Sequence, residues 1–265
     1  MKDLASQAID DLEDLVSGLR SPIDVDEAVH ATRTGIKRLR AFVRLARVSI
    51  GTDTYRIENG SLRDSARLIA PARDARVLID TAASEAAAPT VLAMLERAHV
   101  EAIDVLEAGV RMESVQLLEL TAGRWRHLTW SGPPPSSIRI GLRRTYLRGR
   151  VDYAAVLDEP TAVAFHGWRR RVKYLRYQLQ AIAAPHALVA PYTDLGDHLG
   201  FEHDHTVLIS VCTGYPGDAG FVDLDRRSTA RRAHLRSMAV ELGSRLFVAH
   251  PDDFVNTLEA TVKLG

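Results

Sequence analysis

Apolar positions recur along this chain about every 3.6 residues, and the period of two that marks half-buried strands is almost absent, which predicts an all-α fold. Leu4, Ala8, Leu12, Leu15 and Leu19 trace the apolar face of a first helix, closed by the Gly18–Pro22 region. Asp24 or Asp26 caps a second helix that runs to about Ser49. Further helices are expected over 54–83, 89–108 and 113–130, with Pro71 kinking or splitting the first of these. Gly132-Pro133-Pro134-Pro135-Ser136-Ser137 is the strongest breaker in the chain and lies near its midpoint. Beyond it, helices are expected over 136–150, 160–183, 187–200 and 203–212, then a loop over 213–225. A long helix over 226–249 and a short one opening at Pro251 complete the pattern. Two helical bundles follow, one over 1–131 and the other over 132–265.

The two halves echo one another. His30, Arg33, Lys37, Leu39 and Arg40 align without gaps on His166, Arg169, Lys173, Leu175 and Arg176, and Ile36 matches Val172 conservatively. Downstream, Asp74-x-x-Val77-Leu78 parallels Asp204-x-x-Val207-Leu208 in the same order, as an internal duplication would leave it. Helical geometry sharpens this repeat. At about 100° per residue, the His, Arg, Lys and Arg of each copy share an arc of about 80°. Arg44 extends the first stripe. Val29, Ile36, Leu39, Val43 and Ala46 occupy the neighbouring arc, and Phe165, Val172, Leu175, Leu179 and Ile182 repeat it. Each motif helix therefore has a core face with a basic face beside it.

Charge changes the picture most. The chain holds 34 Lys+Arg against 34 Asp+Glu, and a neutral total taken alone argues against an anion-binding protein. The charges are segregated, however. Residues 28–52 carry 6 bases and no acid, 161–193 carry 5 bases and no acid, and 194–225 carry 7 acids and no base. Exposed helix faces usually relieve self-repulsion by interleaving acids at i,i+4, and neither motif helix does so. A polyanion would turn that repulsion into binding energy.

Composition narrows the classes further. At 265 residues, 46% apolar and 26% charged, the chain is neither disordered nor a small disulfide scaffold. The single cysteine, Cys212, excludes an internal disulfide and fits a reducing, cytoplasmic compartment. No apolar run approaches the roughly 20 residues a membrane span needs. The Met1-Lys2-Asp3-Leu4 start lacks the apolar segment of a signal peptide.

His-x-x-Arg-x-x-x-Lys-x-Leu-Arg, present twice, resembles the motif of the CHAD family (conserved histidine α-helical domain). Leu199-Gly200-Phe201-Glu202-His203-Asp204 is similar to the family's second element, while Ile69-Ala70-Pro71-Ala72-Arg73-Asp74 keeps the Arg-Asp pair without the glycine. An acid usual in the family is replaced by Arg76 and Thr206. The resemblance spans essentially the whole chain. It implies two four-helix bundles related by a pseudo-twofold axis, with their basic faces lining a shared groove. It also implies binding of inorganic polyphosphate and association with polyphosphate granules. It implies no catalysis, since no Glu-x-Glu-x-Lys triphosphatase signature is present, and it calls for no metal or other cofactor.

For such a ligand, guanidinium forks at Arg33, Arg40, Arg44, Arg169 and Arg176 would each engage two phosphate oxygens. Lys37 and Lys173 would act as mobile point charges between them. His30 and His166 would donate to phosphate in protonated form, or else make a helix-entry hydrogen bond or pack in the core. Asp74 and Asp204 fit the orientation of a motif cation or a helix cap. Arg63 with Arg67, and Arg139 with Arg143, form secondary basic pairs that would extend the site. Arg226, Arg227, Arg231 and Arg232 are spread around their helix and read as a solvated face.

Two other functions stay open. Nucleic-acid backbones would meet the same stripes. Base stacking would call on Trp168, Tyr174 and Tyr177 in the second half, where the first offers only Phe42. A metal-dependent phosphohydrolase would use His198, His203, Asp204 and His205. Adjacent residues point apart around a helix, though, and Arg73 stands where a symmetric site needs the counterpart of His203. A scaffold without an anion partner is the remaining alternative.

Overall fold

Asp24 begins the helix on which the site depends: its carboxylate accepts the Glu27 backbone N–H at 3.0 Å, capping α2 (Val25–Ile50). The structure, a computed structural model, describes residues 4–128 and 132–262. Expectations for Met1–Asp3, the end of the sixth helix and the 131/132 boundary fall at least partly outside the described residues. α1 (Leu4–Arg20) precedes α2, and α3 (Thr52–Leu68), α4 (Ala70–Ser84), α5 (Pro89–Val105) and α6 (Arg111–Arg126) follow it. After the proline segment come α7 (Pro135–Asp158), α8 (Ala162–Ala181), α9 (His186–Cys212), α10 (Ala219–Leu246) and α11 (Pro251–Thr261). No strand occurs among the described residues.

The helix expected over 54–83 is split where Pro71 enters α4 in its first turn. A wide turn over Leu106–Val110, with Gly109 at φ +133°, bends the chain between α5 and α6. Three elements differ from the sequence expectation. α7 continues to Asp158, and α10 starts at Ala219 because Asp218 caps it through the Gly220 and Phe221 N–H groups. α9 runs unbroken through Gly200, where two helices were expected. No proline interrupts it there, and a helical glycine is tolerated where it faces a packed neighbour.

Buried residues form three clusters. α1, α2, α3 and α6 enclose one, with Leu12, Ile36, Leu39, Leu62 and Leu118 fully buried. α7 to α11 enclose another around Trp168, Phe165, Tyr146 and Leu195. The third joins Val91 and Leu95 of α5 to Leu208, Phe221 and Leu224 of α9 and α10, tying the two halves together. All ten apolar residues predicted for the core faces of the two motif helices are buried.

α2 lies against both α7 and α8. Gln178, fully buried, donates to the Ala41 carbonyl at 3.2 Å, and Ser137 donates to the Leu45 carbonyl at 3.3 Å. Gly141 permits the close approach, since a β-carbon there would lie 3.0 Å from the Leu45 α-carbon. Gly141→Ala is therefore expected to destabilise the fold by about 1–3 kcal/mol through overpacking. A lowered urea midpoint would register this; an unchanged midpoint would mean the α2–α7 contact yields freely.

Candidate functional site

A cavity of about 630 Å³ opens between α2, α4, α8 and α9. α2 contributes His30, Arg33 and Lys37, and α8 contributes His166, Arg169, Lys173 and Arg176. α4 and α9 supply Arg73 with Asp74 and His203 with Asp204. Seven of the nine motif positions predicted to bind thus meet in one place, from both halves of the chain. Around it stand four arginines and two lysines against three aspartates, Asp197 being the third.

Few of these cations are neutralised by the protein. Arg33 donates to the Ala66 carbonyl at 3.1 Å and to Asp74 at 3.3 Å, and Arg176 donates to Asp197 at 3.4 Å and to the Tyr177 hydroxyl at 3.0 Å. Asp74 thus orients a motif arginine, as expected. The Nε groups of Arg33, Arg169 and Arg176 are buried without a hydrogen-bond partner. A buried donor left unmade costs about 1–3 kcal/mol.

Crowding shifts the titration of the cavity. Burial, reinforced by Arg33, Arg169 and Arg73, pushes the Lys37 ammonium down to about 8. Burial, with Arg169 and Lys37 beside it, pushes Lys173 down to about 7. Burial and nearby cations lower His30 and His166 as well. His203, its ring 4.8 Å from that of His166, is pushed down to about 3, chiefly by burial and Arg169. Burial raises the Asp204 carboxyl despite the opposing pull of Arg169 and Lys173.

The remaining predicted residues lie elsewhere. Arg40 and Arg44 turn away from the cavity toward α3: Arg40 donates to Asn59 at 3.1 Å, and Arg44 donates to the Tyr55 hydroxyl at 2.6 Å. The Arg44 guanidinium also covers the Tyr174 ring, 4.2 Å from its centroid. Arg63 and Arg67 both reach Asp64. Arg139 pairs with Glu259, and Arg143 makes two hydrogen bonds to Asp252, both on α11. Trp168 is fully buried and Phe42 nearly so, which removes both as stacking platforms.

Sequence reasoning did not assign Arg73, His203, Asp197 or Phe201 to the site. The gapless echo of 71–78 on 201–208 carried the signal for Arg73 and His203, since it places them at equivalent positions one residue before an aspartate. His198, His203, Asp204 and His205 do not converge. His205 points instead toward Glu85, at 3.7 Å in a buried contact. Among the described residues, no three His, Cys, Asp or Glu side chains are placed to hold a metal ion. No helix among them is long and apolar enough to cross a membrane.

The family model of the CHAD domain matches residues 3–213, a stretch that contains every cavity-lining residue and ends before α10. No curated protein matches the chain.

Proposed function

The chain belongs to the CHAD family, and from that premise we propose that it binds inorganic polyphosphate in the α2–α4–α8–α9 cavity without turning it over. The carrying observation is the convergence of two equivalent His/Arg/Lys sets on one cavity, where four arginines and two lysines face three aspartates. Polyphosphate presents a row of non-bridging oxygens, one charge per unit, and lacks any other feature to recognise. Arg33, Arg73, Arg169 and Arg176 supply planar forks suited to paired oxygens. Lys37 and Lys173, on opposing helices, supply charge without strict geometry. An adjacent polyanion favours the protonated forms of His30 and His166, opposing the burial and the nearby cations that lower them.

On this reading the halves 1–131 and 132–265 are duplicated four-helix bundles, and the cavity is the groove where their basic faces meet. α11 packs on the second bundle against α7. The protein would then reside in the cytoplasm, at polyphosphate granules where these form.

A titration with long-chain polyphosphate at several salt concentrations tests the reading. Counterion release predicts that affinity falls roughly hundredfold between 50 and 200 mM salt for about five neutralised phosphates. RNA at equal phosphate concentration should fail to displace the chain. A salt-independent affinity would remove the electrostatic basis of the proposal. Displacement by RNA would reassign the cavity to nucleic-acid backbone.

A further inference from the structure

Beyond the cavity, the basic stripe of α2 continues through Arg40 and Arg44 to Arg47, and there it meets a second group of arginines. Arg44 and Arg47 face Arg144 and Arg148 of α7 and Arg171 of α8 around a narrow pocket that also exposes Tyr55 and Tyr174. Arg47, Arg144 and Arg148 then line an open cleft of about 400 Å³ beside it. None of these cluster residues except Arg44 belongs to the duplicated motif stripes.

Several arginines on the neighbouring surfaces pair with carboxylates. On α7, Arg139 and Arg143 meet Glu259 and Asp252; on α10, Arg226 and Arg227 share Asp223. Arg144 and Arg148 sit on a different face of α7 from Arg139 and Arg143. Among the described residues, the only carboxylate within ion-pair distance of the five clustered arginines is Asp152, 3.0 Å from Arg171. The Arg44 Nε is buried without a partner. Arg148 loses some of its affinity for a proton through burial and the surrounding Arg171, Arg144, Arg44 and Arg47. Such crowding is unfavourable until an anion enters.

Accepting that the central cavity binds polyphosphate, we propose that this arginine cluster is a second oxyanion site, filled by the same chain when it is long enough to extend past Arg40 and Arg44. Lys37 and Arg47 are ten residues apart on one helix, so the two sites are separated by about 15 Å along α2. Short oligophosphates fill the cavity alone, and longer chains gain the cluster as an intramolecular second contact. The aromatic rings there do not suit stacked bases, because guanidinium groups already cover them. Arg47 lies 4.8 Å from the Tyr55 centroid and Arg44 lies 4.2 Å from that of Tyr174.

The test compares tripolyphosphate with a long polyphosphate on the full chain, for wild type and for Arg144→Ser/Arg148→Ser. The double variant should leave tripolyphosphate affinity within about twofold, lower long-chain affinity at least about tenfold, and flatten its salt dependence. Arg226→Ser/Arg245→Ser removes the same charge from exposed positions on α10 and should do neither. Unchanged long-chain affinity in the α7 variant overturns the second site, as does an equal loss for both ligands or an equal effect from the α10 variant. A selective loss of RNA binding would hand the cluster to nucleic acid and overturn it too. If wild-type protein bound neither phosphate chain, the cavity reading would fall first, and that result is distinct from the others.

Discussion

Replacing Lys37 and Lys173 together by methionine is expected to raise the melting temperature at pH 7 by roughly 5 °C and to weaken polyphosphate binding at least about hundredfold. The two effects share one cause. Both ammonium groups are held in a crowded cavity, and their proton affinities fall to about 8 and about 7. In an unfolded chain each would titrate near 10.5, so between about 7 and 10.5 the folded state binds fewer protons than the unfolded one. Stability therefore rises with pH across that window. The penalty for keeping these ammonium groups charged is full below about 7 and gone near 10.5.

Methionine fills a similar volume without the charge, and so lifts most of that penalty along with the repulsion on Arg33 and Arg169. The same change removes two charge-assisted contacts to the anion. A thermal melt and a binding titration on the double variant check both halves. A lower melting temperature would show that the lysines are satisfied in the empty protein, and the cavity would then lose its character as a receptor charged in advance. Structural cations do not behave this way, since removing a stabilising one costs stability.

The motif helices were the most legible part of this protein. A period of 3.6 fixes which side of a helix a residue occupies, so the core arc from Val29 to Ala46 and the basic arc from His30 to Lys37 follow from spacing alone. That the two stripes meet did not follow from spacing; it was implied by the resemblance to the CHAD family. Periodicity does not say which helix covers a given face. Arg40 and Arg44 share the arc of Arg33 and Lys37, yet α3 supplies Asn59 and Tyr55 at their level and draws them aside. Arg139 and Arg143 look as free in sequence as Arg144 and Arg148. Only the docking of α11 against α7 separates the paired couple from the unpaired one. Continuity of α9 through Gly200 was hidden too, because a glycine in a helical pattern reads as a possible helix end.

Binding should also take up protons, and affinity should fall as pH rises. Lys173 faces Arg169 and Arg176 on its own helix, Lys37 on α2 and Asp204 on α9. In the empty cavity these neighbours and burial leave it about half protonated at pH 7 and largely neutral at pH 8. A polyphosphate chain placed between the two lysines favours their charged forms, so each neutral lysine gains a proton as the complex forms. Affinity then declines by up to one power of ten per pH unit for each such lysine, on the order of a hundredfold between pH 7 and 9. At lower pH the uptake passes to His30 and His166, whose proton affinities burial and nearby cations also depress. Long chains keep the titration of their own terminal groups a small part of the signal. Calorimetry at pH 8 in buffers of differing ionisation enthalpy should report between one and two protons taken up per bound chain, and Lys173→Met should remove about one of them. A heat independent of the buffer would mean that the lysines are already charged in the empty cavity. In that event the excess stability expected of the methionine variant should vanish as well, because both effects depend on the same depressed proton affinities.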